Sequence, residues 1–145
     1  MGAHSIHPRV WQVSGQRFWG LFKELCGEPD VFFSHCLVHN YCPLVFMAES
    51  GKNIALPQLP KGPSRDALRD ICDNAMRSVV ELLQPQLVVG VGKYAAERCS
   101  KALPATTVHT LMHPSPANPA TNCGAWAPAA TAQLSHMGVL PLLSS

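Results

Sequence analysis

Beyond Glu97 the chain has no carboxylate side chain: all nine Asp and Glu residues lie at or before that point, whereas Arg98 and Lys101 follow it. A long segment free of acids can approach phosphate groups without like-charge repulsion. Charge is sparse throughout. Only 14% of the 145 residues are charged and the formal net charge is +2. No run of Lys and Arg is dense enough to read as an import signal. An uninterrupted apolar stretch is also missing. Residues 31–48, the most apolar candidate, are broken by Ser34, His35, His39, Asn40 and Pro43, so they cannot cross a bilayer with every polar group satisfied. The N-terminus lacks a basic region followed by an apolar core, and Ile6 stands where a myristoylation signal needs Ser or Thr. A membrane span, a secretion signal and a lipid anchor are therefore not expected. There is no low-complexity tract or internal repeat, and 47% of the residues are hydrophobic, which argues against disorder. A chain of this length suits one domain, burying about 68–70% of its unfolded surface.

What is present alternates in period. Residues 1–13 have no clear pattern and read as a leader, with 14–145 as the domain. SGQRFWGLFKELCG places Phe18, Trp19, Phe22 and Leu25 at helical spacing, with Ser14 as N-cap and Gly27 past the end. VFFSHCLVHN has the aromatic and β-branched content of a strand, which would put Asn40 at its C-terminal end. CPLVFMAESGKN then reads as a long connection. The next helix, SRDALRDICDNAMRSVVELLQ, has Ser64 as N-cap and a stripe of Leu68, Ile71, Cys72, Ala75, Val79, Leu82 and Leu83. QLVVGVG suits a strand buried on both faces, KYAAERCSKAL a helix and TTVHTLMH a further strand. HPSPANPATNCG is a loop, and an Ala-rich helix spans about residues 126–137. Helix and strand alternating in this way predict an α/β fold: a mainly parallel sheet in a three-layer α/β/α arrangement. Ligands gather beyond the carboxyl ends of strands in such sheets, which singles out Asn40 and His113.

Several constellations have two readings. Gly90-Val91-Gly92-Lys93-Tyr94-Ala95 stands where a dinucleotide fingerprint belongs, but no acid follows Glu97 to hold the ribose. Glycines that permit a tight strand-to-helix turn and close packing explain the same residues, so no cofactor is expected, although a nucleotide module stays open. His35, Cys36, His39 and Cys42 contain zinc-ligand chemistry, yet on a strand Cys36 and His39 face opposite ways, so no metal is expected. The six dispersed cysteines form no nucleophilic motif and read as reduced, buried thiols; the lysines all lie in polar or amphipathic contexts. What remains is His39-Asn40 and His113-Pro114-Ser115-Pro116. The prolines stiffen the second segment, so that Ser115 and neighbouring N–H groups can meet a phosphate; an ordinary structured turn is the alternative.

Those segments carry a resemblance. SGQRFWGLFKELCGEPDVFFSHCLVHNYCPL, LVVGVGKYAAERC, LMHPSPANP and GVLPLL resemble the single-strand-selective monofunctional branch of the uracil-DNA glycosylase superfamily over about residues 14–145. The resemblance implies base-excision repair: a uracil is flipped out of single- or double-stranded DNA and its N-glycosidic bond is hydrolysed, in the nucleus, without a cofactor or metal. It implies that Asn40 reads the uracil edge through one amide acceptor and one amide donor. It implies that His113 donates to uracil O2 as negative charge develops. Pro114, Ser115, Pro116, Ala117 and Asn118 would contact the DNA, entering the stack that the base vacates. Three departures accompany it. No part of residues 1–13 matches the family's Gly- and Pro-rich motif that positions the attacking water and supplies an aromatic that stacks on uracil. Ala117 stands where related enzymes carry a basic residue, and Cys123 and Ala125 alter the loop that follows. The family's sheet also begins earlier, so this chain is expected to be its C-terminal part without the first strands. A non-catalytic DNA-binding or regulatory fragment is the competing expectation.

Overall fold

The structure, a computed structural model, describes residues 12–116 and 124–143. In chain order the elements are α1 (Gln12–Cys26), α2 (Pro29–His35), β1 (Phe46–Met47), β2 (Asn53–Ile54), α3 (Pro63–Leu83), β3 (Val88–Val91), α4 (Lys93–Ala102), β4 (Val108–Leu111) and α5 (Trp126–His136). The 3₁₀ turns Leu56–Gln58 and Leu140–Leu143 are also described. Strands β1 and β2 form an antiparallel hairpin with Phe46 opposite Ile54, while β3 and β4, joined through α4, make a small parallel sheet. The chain is thus mixed helix and strand. Among the described residues no helix is long and apolar enough to cross a membrane.

The chain divides into two compact units. One comprises the residues up to Leu37, Val91–Lys93 and the segment from Thr110 onward; the other comprises Val38–Gly90 and Tyr94–His109. In the first, α1 and α2 interlock through aromatic rings: Phe22 and Phe32 lie 4.7 Å apart and Trp19 meets Phe32 edge-on at 5.6 Å. Leu21, Phe22, Phe32, Leu111, Trp126, Ala130, Leu134 and Leu143 are buried. In the second, Met76 of α3 packs with Cys99, Ala102 and Leu103, and Tyr41, Val80, Val88 and Val108 close around them.

Several expectations are corrected. VFFSHCLVHN is not a strand: its first half belongs to α2 and residues 36–40 continue without regular structure. Pro29 at the first helical positions and Asp30 in the first turn both favour a helix start, and they outweigh the β-propensity of Val31, Phe32 and Phe33. Asn40 therefore does not end a strand. Ser14 lies inside α1, and Ser64 lies inside α3, whose N-cap is Gly62. The connection after Cys42 contains the β1–β2 hairpin. On α3 the buried residues are Cys72, Asp73 and Met76, whereas Ile71, Leu82 and Leu83 of the expected stripe are exposed. The stripe is rotated because Asp73 finds a buried partner, Arg98 of α4. Nor is β3 buried on both faces: Val88, Val89 and Val91 are half-buried and Gly90 alone is fully covered.

The Gly90 reading as a packing position is met by the structure. A Cβ there would lie 2.4 Å from Ala96 Cα and 2.5 Å from Ala96 N, both backbone atoms of α4. Gly90→Ala should therefore destabilise the chain by about 1–3 kcal/mol, the usual cost of overpacking, read as a lower denaturation midpoint. An unchanged midpoint would show that β3 and α4 can part without cost.

Candidate active site

The loop after β4 is fastened residue by residue within its unit. Met112 N–H donates to Gln133 Oε1 at 2.8 Å, and the indole Nε1 of buried Trp126 donates to Met112 O at 2.9 Å. Arg17 of α1 donates to Pro114 O at 3.1 Å. Gly92 N–H donates to Leu111 O at 2.8 Å just before the loop begins. Three side chains from α1 and α5 thus hold the backbone of Met112 and Pro114, and proline limits the remaining freedom.

Within this frame His113 is oriented by its neighbours. The Ser115 N–H donates to His113 Nδ1 at 3.1 Å. An amide can only donate, so Nδ1 is the acceptor and the ring proton of the neutral imidazole sits on Nε2. Gly92 flanks the ring: a Cβ there would stand 3.1 Å from His113 Cδ2, and the backbone has φ +91°, a conformation that glycine adopts without strain. The surrounding protein desolvates the imidazolium and lowers the His113 pKa below its ordinary value, which keeps the ring neutral. The result is an exposed, neutral imidazole with an Nε2–H donor fixed by a backbone contact. Pro114 is buried and its carbonyl is engaged, Ser115 is half-buried and Pro116 is exposed. The Ser115 amide donates to His113. Ala117 and Asn118 lie outside the described residues.

Asn40 belongs to the other unit and is exposed on the irregular segment 36–40. Its successor, Tyr41, is tied down. The Tyr41 hydroxyl donates to Asp73 Oδ1 at 2.6 Å and accepts from Arg98 Nε at 3.2 Å, and Arg98 closes the triangle by an ion pair with Asp73. Burial, and then the bond to Asp73, push the Tyr41 pKa far up, so the hydroxyl keeps its proton. Sequence reasoning missed this triangle, as it missed Arg17, Trp126 and Gln133. The available signal was Arg98 itself, which shares a helical face with Ala95, Cys99 and Ala102.

Other chemistries find little here. His35 ends a helix, so Cys36 and His39 do not lie on opposite faces of a strand as expected. Even so, among the described residues no three His, Cys, Asp or Glu side chains group to hold a metal ion. The five described cysteines are free thiols; Cys72 and Cys99 are buried and the other three half-buried, while His35 and His39 are exposed. Burial, followed by the neighbouring Cys42, pushes Cys72 up to about 11, and burial raises Cys99 as well, so these two are protonated and poor nucleophiles.

Comparison with known proteins shows which family the chain is similar to. Residues 3–130 match the uracil DNA glycosylase superfamily, a range that reaches into the segment read as a leader. The chain is 49% identical over 138 residues to a single-strand selective monofunctional uracil DNA glycosylase of Bos taurus. It is 50% identical over 137 residues to the Rattus norvegicus protein of that name and 49% to that of Mus musculus. Each match takes in 92% of this chain but 50%, 49% and 48% of the relative, so the chain spans about half the length of the curated relatives it matches. On the extent of these matches, the chain belongs to the uracil-DNA glycosylase superfamily.

Proposed function

We propose that this chain supplies base recognition and leaving-group stabilisation for excision of uracil from single- or double-stranded DNA, by hydrolysis of the N-glycosidic bond. The observation that carries the proposal is the fixed tautomer of His113. Bond cleavage leaves negative charge on the uracil ring and positive charge on the sugar, so a neutral donor aimed at uracil O2 stabilises the departing base. An imidazole that already accepts from Ser115 at Nδ1 presents its Nε2–H for that purpose. The Asn40 amide has the matching pattern for the other edge: its carbonyl accepts from uracil N3–H and its NH₂ donates to O4. Cytosine reverses both groups. The exposed Pro116, with Ser115, Ala117 and Asn118, would face the strand, and the buried Pro114 would stiffen them from beneath. In this reading the β3–β4 pair is part of a larger, mainly parallel sheet in a three-layer α/β/α fold completed by strands beyond those described, and the activity serves base-excision repair in the nucleus.

Asn40→Asp tests the recognition half. An ionised carboxylate keeps the acceptor but loses the donor to O4, and a lost or opposed buried bond is worth about 1–3 kcal/mol. The variant should lose its preference for a uracil-containing single strand over a cytosine-containing one, measured by competition binding at neutral pH. A preference equal to that of the parent would remove Asn40 from the edge-reading role.

A further inference from the structure

Asn40 is exposed on the irregular segment 36–40. Among the described residues no backbone hydrogen bond involves residues 37–45, between the Cys36 amide that closes α2 and the β1–β2 hairpin. An amide side chain that must discriminate a donor from an acceptor cannot sit on a freely moving backbone, because specificity needs the polar groups of the site pre-placed. The structure offers a firm attachment immediately next in the chain. Tyr41 is seated against the core of its unit, its ring meets Tyr94 edge-on at 6.0 Å, and its hydroxyl enters the buried Asp73–Arg98 pair. Arg69 O, 3.3 Å away, is a second acceptor for the same hydroxyl. Asp73 and Arg98 are 9% and 8% exposed. Buried charges of this kind hold one geometry because each hydrogen bond they lose is not replaced by water. The peptide unit joining Asn40 to Tyr41 is planar, so anchoring Tyr41 fixes the carbonyl end of Asn40.

We propose that Tyr41 is a positioning residue for Asn40: the Asp73–Arg98 ion pair between α3 and α4 is a buried socket for the Tyr41 hydroxyl, and through it sets the direction of the uracil-reading amide. This rests on the proposed function above. The ion pair also gives a reason for Asp73 to occupy the buried face of α3, where the sequence pattern placed apolar residues.

Tyr41→Phe is the test, because it removes the socket's guest while leaving Asp73 and Arg98 paired. The 145-residue chain, its Tyr41→Phe and Asn40→Ala variants and the double variant are compared by fluorescence anisotropy on two single strands that differ only in one uracil or cytosine. The expected loss of uracil preference for Tyr41→Phe is about tenfold, in line with one hydrogen bond to a charged group. Affinity for the cytosine strand, which reports the sequence-independent phosphate contacts, should stay within about twofold. In the Asn40→Ala background Tyr41→Phe should change the preference no further, since residues acting through one another are non-additive. Amide hydrogen exchange gives a reading without DNA: residues 36–43 should exchange faster in Tyr41→Phe while the amides of α3 and α4 keep their protection. Full retention of preference, or losses that add in the double variant, would overturn the positioning role. General loss of protection in α3 and α4 would make Tyr41 a stability residue and overturn it as well. A parent chain with no preference for uracil defeats the proposed function, and this inference falls with it.

Discussion

Replacing His113 by Ala should slow uracil release by about 10²–10³-fold, the usual loss when one donor to a developing anion is removed. The measurement belongs in a chimera that joins this chain to the half of a relative that it does not match, so that both reactants are held. Binding of the uracil strand should change far less than the rate of release, because the Nε2–H bond gains strength only as charge moves onto the base. The pH profile supplies an independent check, with its sign fixed by the structure. Desolvation lowers the His113 pKa from 6.5, and the Ser115 N–H at 3.1 Å opposes a second ring proton. The neutral donor is therefore present at pH 7 and persists on acidification beyond the point where an ordinary histidine would be charged. Uracil release that depends on it should fall only as pH drops through a value below 6.5. The same displacement makes a small stability contribution that is present above pH 6.5 and declines as pH falls through the folded-state value, since the unfolded chain then binds the extra proton first. A parental rate for His113→Ala would leave the ring without a catalytic role.

The sequence disclosed the His113 loop because its residue types have direct backbone consequences: two prolines within four residues stiffen any chain that contains them. The helices α3, α4 and α5 were legible because their periods extend over enough residues to be distinguished, and the strands β3 and β4 because they are short apolar runs rich in β-branched residues. Helix α2 was not. Seven residues are too few to display a helical period, and Val31, Phe32 and Phe33 carry strand propensity that only Pro29 and Asp30 contradict. The face of α3 was misplaced because Asp73 is buried by Arg98, which lies 25 positions away. Local patterning assigns a carboxylate to solvent, and no window along α3 contains the guanidinium that reverses this assignment. Asn40 was singled out by its place after an expected strand, which does not form, and by the resemblance of its surroundings to a family. Its anchor Tyr41, like Gln133 and Trp126 beneath His113, became visible only with the chain folded.

The second large effect concerns water. Hydrolysis needs a second reactant aligned with the sugar carbon, and holding a reactant in line can account for about 7–11 kcal/mol of barrier lowering. In the His113 loop, Gln133 Oε1 takes the Met112 N–H, Pro114 O takes Arg17, and His113 Nδ1 takes the Ser115 N–H. The acids that elsewhere serve as general bases all lie at or before Glu97 in the sequence, and the one that is buried, Asp73, is saturated by Arg98 and Tyr41. In the proposed reading the described residues act on the leaving-group side of the reaction, and the family resemblance assigns the water-holding side to a Gly- and Pro-rich motif. We expect the 145-residue chain, in excess over a uracil-containing single strand, to bind in a salt-sensitive way and to release no uracil above background. Adding the unmatched half of a relative, in a chimera, should restore release by several orders of magnitude. The assay is alkaline cleavage of the strand at the abasic site left by uracil loss. Multiple turnovers by the chain alone would show that a group within it orients the water, and the division of labour between the two halves would be wrong.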